Sequence, residues 1–228
     1  TICWLTLAEY RMQPNAKKCC AFLRPSRLNN NTASSGLLQR ALARACDIKP
    51  QETRATLASF LLVFLLMGSY YIVRPVRDAL ASDWTDADVS WLWTITFFIS
   101  TVAVSLYGAA VSKIRFQRLV PSVYGLFAAS FILFYFGEHT LTEHTLLDKA
   151  FYLWVSLFSL FHISVFWSFM ADTFSKPQAT RLFGFIGAGA SAGGIVGPAT
   201  ASLLVGDVGT DALLLIASAM VTLTLPLV

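Results

Sequence analysis

The hydrophobic segments of this chain constrain its fold more than any other feature. Residues 55–73 are nineteen consecutive residues without a formal charge, and at about 1.5 Å of rise per residue such a helix crosses a bilayer core of roughly 30 Å. Five more charge-poor segments follow, and all but the last approach the length of a spanning helix. The six segments are residues 55–80, 89–112, 119–137, 150–171, 182–206 and 212–228. We therefore predict an all-α polytopic membrane protein with six spanning helices, of which the sixth is truncated.

The charges of the chain are sorted between the two ends of these segments. Fourteen of the 17 Lys and Arg residues lie in residues 1–54, 113–118 and 172–181, which we name the basic end. Eight of the 13 Asp and Glu residues lie in the intervening loops 81–88, 138–149 and 207–211, which we name the acidic end. Because cytoplasmic loops carry the excess of Lys and Arg, we predict a cytoplasmic amino terminus. This sorting also accounts for the net charge of +4, so no nucleic-acid partner is expected.

Three regions divide the chain. Residues 1–36 are basic and polar and predict a disordered cytoplasmic arm, and residues 37–54 have the apolar spacing of an amphipathic helix on the membrane surface. Residues 55–228 form the predicted transmembrane bundle. Because the chain begins without Met and stops inside an apolar run, we expect a fragment of a longer protein.

A charged stripe follows the first hydrophobic segment. Arg74, Arg77 and Asp78 are spaced i, i+3 and i+4, so they share one face if the helix continues through Pro75. Arginines at an outer helix end can simply reach toward lipid headgroups. However, ionisable groups within spans usually face a polar cavity, so we predict an anion-binding site that also includes Tyr71 and, from the fourth segment, His162. In the alternative interpretation, Arg77 and Asp78 are a gating ion pair.

A glycine repeat marks the fifth segment. Gly189, Gly193 and Gly197 recur every fourth residue and predict a face on which a neighbouring helix packs closely, and Pro198 predicts a bend. Packing is the simpler interpretation, and a surface on which two bundles rock is compatible with it. A dinucleotide- or phosphate-binding loop is a poor alternative, because no strand precedes these glycines, no Lys-Ser/Thr follows them and they lie inside an apolar segment.

Three other polar positions are candidates for function. Asp172 and Arg181 lie between the fourth and fifth segments, where they form either a gating ion-pair network or a solvated turn, and the charge pattern favours the turn. His162 lies in the apolar fourth segment. In a functional interpretation it lines a cavity or takes part in proton movement, and in a structural interpretation it forms a hydrogen bond with a neighbouring helix. Paired carboxylates, a Ser/His/Asp set and metal-ligand spacing are all missing from the spans, so we predict no enzyme activity, catalytic residue, metal or cofactor.

Several motifs resemble the ATP/ADP translocases of plastids and intracellular bacteria and their proteobacterial relatives in the major facilitator superfamily. The pattern Tyr-x-Ile-x-Arg-x-x-Arg-Asp at residues 70–78 resembles the first-span signature, with Arg77 where the nucleotide exchangers carry lysine. Phe-Trp-Ser-Phe-Met-Ala-Asp at 166–172 and Arg-Leu-Phe-Gly-Phe at 181–185 resemble the bacterial relatives. Gly-Gly-x-x-Gly-Pro at 193–198 is similar to a fifth-helix motif of antiporters in the superfamily. The resemblance covers residues 37–228.

The resemblance implies a twelve-helix carrier made of two six-helix halves, of which this chain is the first, working by alternating access. It also implies exchange of ATP against ADP, with basic side chains on the phosphates, since guanidinium groups bind phosphate oxygens in bidentate fashion. The expected partners are a small anionic solute, the lipid bilayer and the second six-helix half of the same protein.

The sequence thus predicts a secondary transporter that exchanges nucleotides or another anionic solute. One alternative is a transporter of an unrelated small solute, and another is a membrane scaffold that transports nothing. A bacterial inner membrane is the favoured location, with the plastid inner envelope as the alternative.

Overall fold

The computed structural model describes Lys49, residues 51–140 and residues 145–228 of the chain, and these residues are helical apart from short connections. The helices are α1 (Thr53–Ala81), α2 (Asp86–Lys113), α3 (Phe116–Thr140), α4 (Thr145–Thr173), α5 (Lys176–Gly206) and α6 (Ala212–Leu227). Helices α1 to α5 are long and apolar enough to cross a membrane, and α6 is shorter. The prediction of an all-α polytopic membrane protein is confirmed. The predicted arm at 1–36 and most of the predicted helix at 37–54 lie outside the described residues.

Local sequence signals set the ends of these helices. Thr85 caps α2, because its hydroxyl accepts a hydrogen bond from the backbone N–H of Asp88 at 3.2 Å. Ser175 begins α5 in a capping box with Gln178. Gly209 separates α5 from α6 with a φ of 77°, in the left-handed region that favours glycine. The described connections are short, which makes neighbouring helices antiparallel.

The bundle is built around α1, which packs on α4, α5 and α6. Its buried face meets a core of aromatic rings from α3 and α4, where the ring of Phe158 contacts those of Phe127 and Phe131 with centroids 4.9 and 5.3 Å apart. Between membrane helices such contacts act through dispersion and shape, because lipid is as apolar as the core. By contrast, Leu92 is the buried residue of α2, and the rest of that helix is exposed or partly exposed.

The glycine repeat of α5 lies directly against the backbone of α1. Methyl groups at Gly189 and Gly197 would lie 2.7 and 2.8 Å from carbonyl oxygens of α1. At Gly193 a methyl group would overlap the carbonyl oxygen of Phe64. Glycine is therefore required at all three positions for this separation of the two helices. Pro198 follows within the same helix.

Candidate functional site

The charged stripe occupies the last two turns of α1, at the acidic end. The helix continues through Pro75, so Arg74, Arg77 and Asp78 have the i, i+3 and i+4 arrangement that the sequence predicts. Pro75 has no N–H group, so the carbonyl of Tyr71 lacks its usual helical donor. The charged stripe therefore begins at a position where α1 lacks one of its internal hydrogen bonds.

The Asp78 carboxylate lies between two guanidinium groups. Nε and Nη2 of Arg77 donate to Asp78 Oδ1 at 2.9 and 2.6 Å, and Arg74 Nε lies 3.6 Å from Asp78 Oδ2. The side chains of Arg74 and Asp78 are about half exposed, whereas that of Arg77 is 16% exposed. Two cations beside one carboxylate give the cluster a net charge of +1, which attracts an anion.

Two side chains of helix α4 contact the guanidinium group of Arg77. The guanidinium carbon lies 5.3 Å from the ring centroid of Tyr152, and Nη1 donates to the Ser156 hydroxyl at 3.4 Å. Tyr152 is itself fixed, because its hydroxyl accepts a hydrogen bond of 2.8 Å from Trp93 Nε1 on α2. A cation held over an aromatic face keeps its charge while losing part of its freedom to move.

Tyr71 connects the stripe to the glycine-rich helix. Its ring lies 5.9 Å below the guanidinium carbon of Arg74. A methyl group at Gly194 of α5 would come within 3.3 Å of the same ring. Met67, Tyr71, Arg74 and Asp78 are all at least partly exposed and are spaced 4, 3 and 4 residues apart. We name this continuous surface the open face of α1.

His162 lies behind the open face rather than on it. Its side chain is 3% exposed, Nδ1 is 2.9 Å from the Phe158 carbonyl oxygen, and Nε2 is 3.4 Å from Met67 Sδ. The imidazole also stacks on Tyr70 with centroids 4.7 Å apart. The structure thus separates His162 from the arginines with which the sequence grouped it, and its predicted contact with solute stays a prediction.

The basic end holds a second polar cluster. Glu52, just before α1, accepts a hydrogen bond from Gln178 Nε2 at 2.9 Å and pairs with Arg181 at 3.3 Å. The hydrogen bond from Gln178 and the charge of Arg181 hold the pKa of Glu52 below its ordinary value of 4.5. This cluster ties the beginning of α1 to the beginning of α5.

Asp172 lies at the same end, with an exposed side chain. Within the described part of the chain no ion pair joins it to Arg181, which is directed to Glu52 instead. The gating role predicted for these two residues stays a prediction. The solvated-turn interpretation of Asp172 also stays a prediction.

An apolar groove of about 400 Å³ lies between α1, α5 and α6 at the acidic end. Its walls include two helix-interior prolines, Pro75 and Pro198, together with Ala79, Ser202 and Leu213. Proline in a helix removes one internal hydrogen bond and widens the local spacing, which accounts for the space.

Sequence reasoning missed four contributors to these clusters. Tyr152, Ser156, Glu52 and Gln178 each make a contact between helices distant in sequence, and their residue types are common in membrane helices and loops. One usable signal was present, because Ser175 followed by Gln178 is a capping box that places Gln178 in the first turn of α5.

Comparison with protein-family models, with curated proteins and with solved structures finds no match to this chain.

Proposed function

We propose that this chain belongs to a secondary transporter that exchanges or imports a small anionic solute by alternating access. The observation that supports the proposal best is the pair of guanidinium groups around Asp78, on the open face at the end of a spanning helix. The resemblance at residues 70–78 makes nucleotides, with ATP exchanged for ADP, the favoured solute. A bacterial inner membrane is the favoured location, and the plastid inner envelope is the alternative.

The contacts of the cluster suggest how an anion binds. Asp78 occupies both arginines when no anion is present, and Arg74 still exposes 46% of its side chain. A phosphate group that approaches from the open face meets Arg74 first and then competes with Asp78 for Arg77. Charge-assisted hydrogen bonds of this kind contribute about 1.5–3 kcal/mol each.

The outer surfaces of the bundle support a second bundle as partner. Helix α2 exposes large apolar side chains along its length, and α5 exposes Ile195 and Leu203 on the side away from the glycine repeat. We propose that a second six-helix half covers part of this surface and that the two halves rock about the open face.

The test is counterflow of labelled ATP into proteoliposomes that contain the complete protein and are preloaded with ADP. We expect uptake that requires internal ADP, and we expect Arg77→Ala to weaken the apparent ATP affinity by about tenfold or more. Arg54→Ala is the matched control, because Arg54 is an exposed arginine at the opposite end of the same helix. Equal affinities of the wild-type protein and Arg77→Ala would contradict the anion site.

A gating role for the same residues is the second candidate, and it is favoured by the 2.6 Å contact between Arg77 and Asp78. If the pair only holds one conformation, exchanging the two charges should preserve it. The double variant Arg77→Asp/Asp78→Arg would then recover the transport that Asp78→Arg alone loses. An anion site predicts no recovery, because the guanidinium group no longer lies on the Tyr152 ring.

A further inference from the structure

The imidazole of His162 is surrounded by groups that carry no charge. Tyr70 and Met67 of α1 and Phe158 of α4 contact the ring, while the hydroxyl of Tyr124 on α3 donates to the His162 backbone carbonyl at 3.1 Å. The charged side chains of α1 at the acidic end, Arg74 and Arg77, are both directed to Asp78.

Neither of the two atoms that face the ring nitrogens is a hydrogen-bond donor. The Phe158 carbonyl oxygen, 2.9 Å from Nδ1, only accepts, so Nδ1 carries the hydrogen of the neutral ring. Nε2 then directs its lone pair at Met67 Sδ, 3.4 Å away, and a thioether has no hydrogen to donate. A strong acceptor is therefore buried without a donor, an arrangement that costs free energy.

Met67 separates this nitrogen from the open face. It belongs to the open face and is partly exposed, whereas His162 behind it is buried. Methionine has an unbranched, flexible side chain that changes rotamer readily. A rotation of Met67 would therefore bring Nε2 into contact with whatever occupies the open face.

We propose that His162 is a proton-binding site covered by Met67 and that anion transport is coupled to its protonation; the coupling rests on the proposed function. When Met67 moves aside, a hydronium ion on the open face transfers its proton to Nε2 and leaves a water molecule, and Nδ1 keeps its bond to Phe158. The product is an imidazolium ion with one positive charge, stacked on Tyr70, where the aromatic face stabilises a cation.

The coupling follows from the cost of a buried charge. An imidazolium without a counter-charge is unfavourable in this apolar setting, so its formation favours a nearby anion. Met67 and Arg74 are seven residues apart, which places the arginine about 10 Å along the helix axis from the cover of His162. An anion on Arg74 therefore stabilises the proton, and the proton stabilises the anion.

The covering role can be tested on the purified protein without any transport. Diethyl pyrocarbonate modifies the unprotonated Nε2 of accessible histidines, and mass spectrometry locates the adduct. We expect slow modification of His162 in the wild-type protein and several-fold faster modification in Met67→Ala, with the rate in Met67→Ala falling as the solution is made more acidic. Met220→Ala is the control, because Met220 covers Gly68 instead. An equally slow reaction in Met67→Ala, or a rate independent of pH, would overturn the proton site.

The coupling is tested in proteoliposomes that are preloaded with ADP, contain a pH-sensitive dye and receive labelled ATP. We expect ATP uptake to carry protons inward and to accelerate when the outside is more acidic, and we expect His162→Gln to lose both effects. His139→Gln is the matched control, because His139 also places Nδ1 near a carbonyl four residues earlier, at 3.0 Å, but is exposed. ATP uptake without proton movement would overturn the coupling and leave the anion carrier standing. Absence of ATP uptake by folded protein would overturn ATP as the solute, and with it the coupling of ATP uptake to protons.

Discussion

Two tyrosine hydroxyl groups show how differently single polar atoms are treated inside this bundle. Tyr124 is fully buried and donates to the His162 carbonyl at 3.1 Å. Among the described residues, Tyr107 has the one buried side-chain oxygen without a hydrogen bond of good geometry, and its interaction with the Ser168 side chain falls short of one. A bonded hydroxyl stabilises the fold, whereas a buried hydroxyl without a partner costs free energy that its removal recovers.

Removing each hydroxyl should therefore have a different effect on stability. We expect Tyr124→Phe to destabilise the protein by about 1 kcal/mol and Tyr107→Phe to be neutral or slightly stabilising. Thermal unfolding in detergent, followed by tryptophan fluorescence, measures both variants under the same conditions. Equal losses in the two variants would show that Tyr107 has a partner after all.

Some of these residue-level features followed from the sequence and others did not. The stripe of Arg74, Arg77 and Asp78 was predictable because helical spacing alone sets it. The partners of Arg77 were not, because Tyr152 and Ser156 reach it only through the register between α1 and α4. Similarly, the spacing of residues along α4 does not reveal whether His162 faces solute or core.

At the scale of helices, the close contact between α1 and α5 depends on glycines of α5, which have no side chain to keep the two backbones apart. Gly193→Ala places a methyl group against the Phe64 carbonyl, and overpacking of this kind costs about 1–3 kcal/mol. Gly187→Ala is the control on the same helix, because a methyl group there meets open space. We expect a lower unfolding temperature for Gly193→Ala and an unchanged or higher one for Gly187→Ala. Similar unfolding temperatures for the two variants would mean that α1 and α5 can move apart without loss of stability.

The same two helices are joined at the basic end by Glu52, whose contribution depends on pH. Its pKa is lower in the folded protein than its ordinary value of 4.5, so the stabilisation is present above that pH and is lost as pH falls. We expect Glu52→Gln to cost about 1 kcal/mol at neutral pH and progressively less as pH falls below 4.5. Unfolding curves at several pH values, with Asp172→Asn as an exposed control, would measure this. A cost that persists in acid would argue against the ion pair.

At the scale of the whole molecule, the helical bundle was predictable from hydrophobic length and the orientation stays a prediction from charge. Single cysteines at Ser82 of the acidic end and Lys176 of the basic end, in a protein without its four native cysteines, test that orientation. We expect an impermeant maleimide to label Ser82→Cys in intact cells and Lys176→Cys only after permeabilisation. The reverse pattern would place the amino terminus outside.

Helix α1 carries a charged cluster at each end, and the distance between the two clusters can be compared with the thickness of a bilayer. Glu52 and Asp78 are 26 residues apart, or about 39 Å along a helix, against roughly 30 Å for a bilayer core. Both clusters therefore reach the headgroup layers only in a membrane of ordinary thickness. Lipids with longer tails would draw one cluster into hydrocarbon or force the helix upright. The length of the surrounding acyl chains would then set how firmly α1 is held at its two ends.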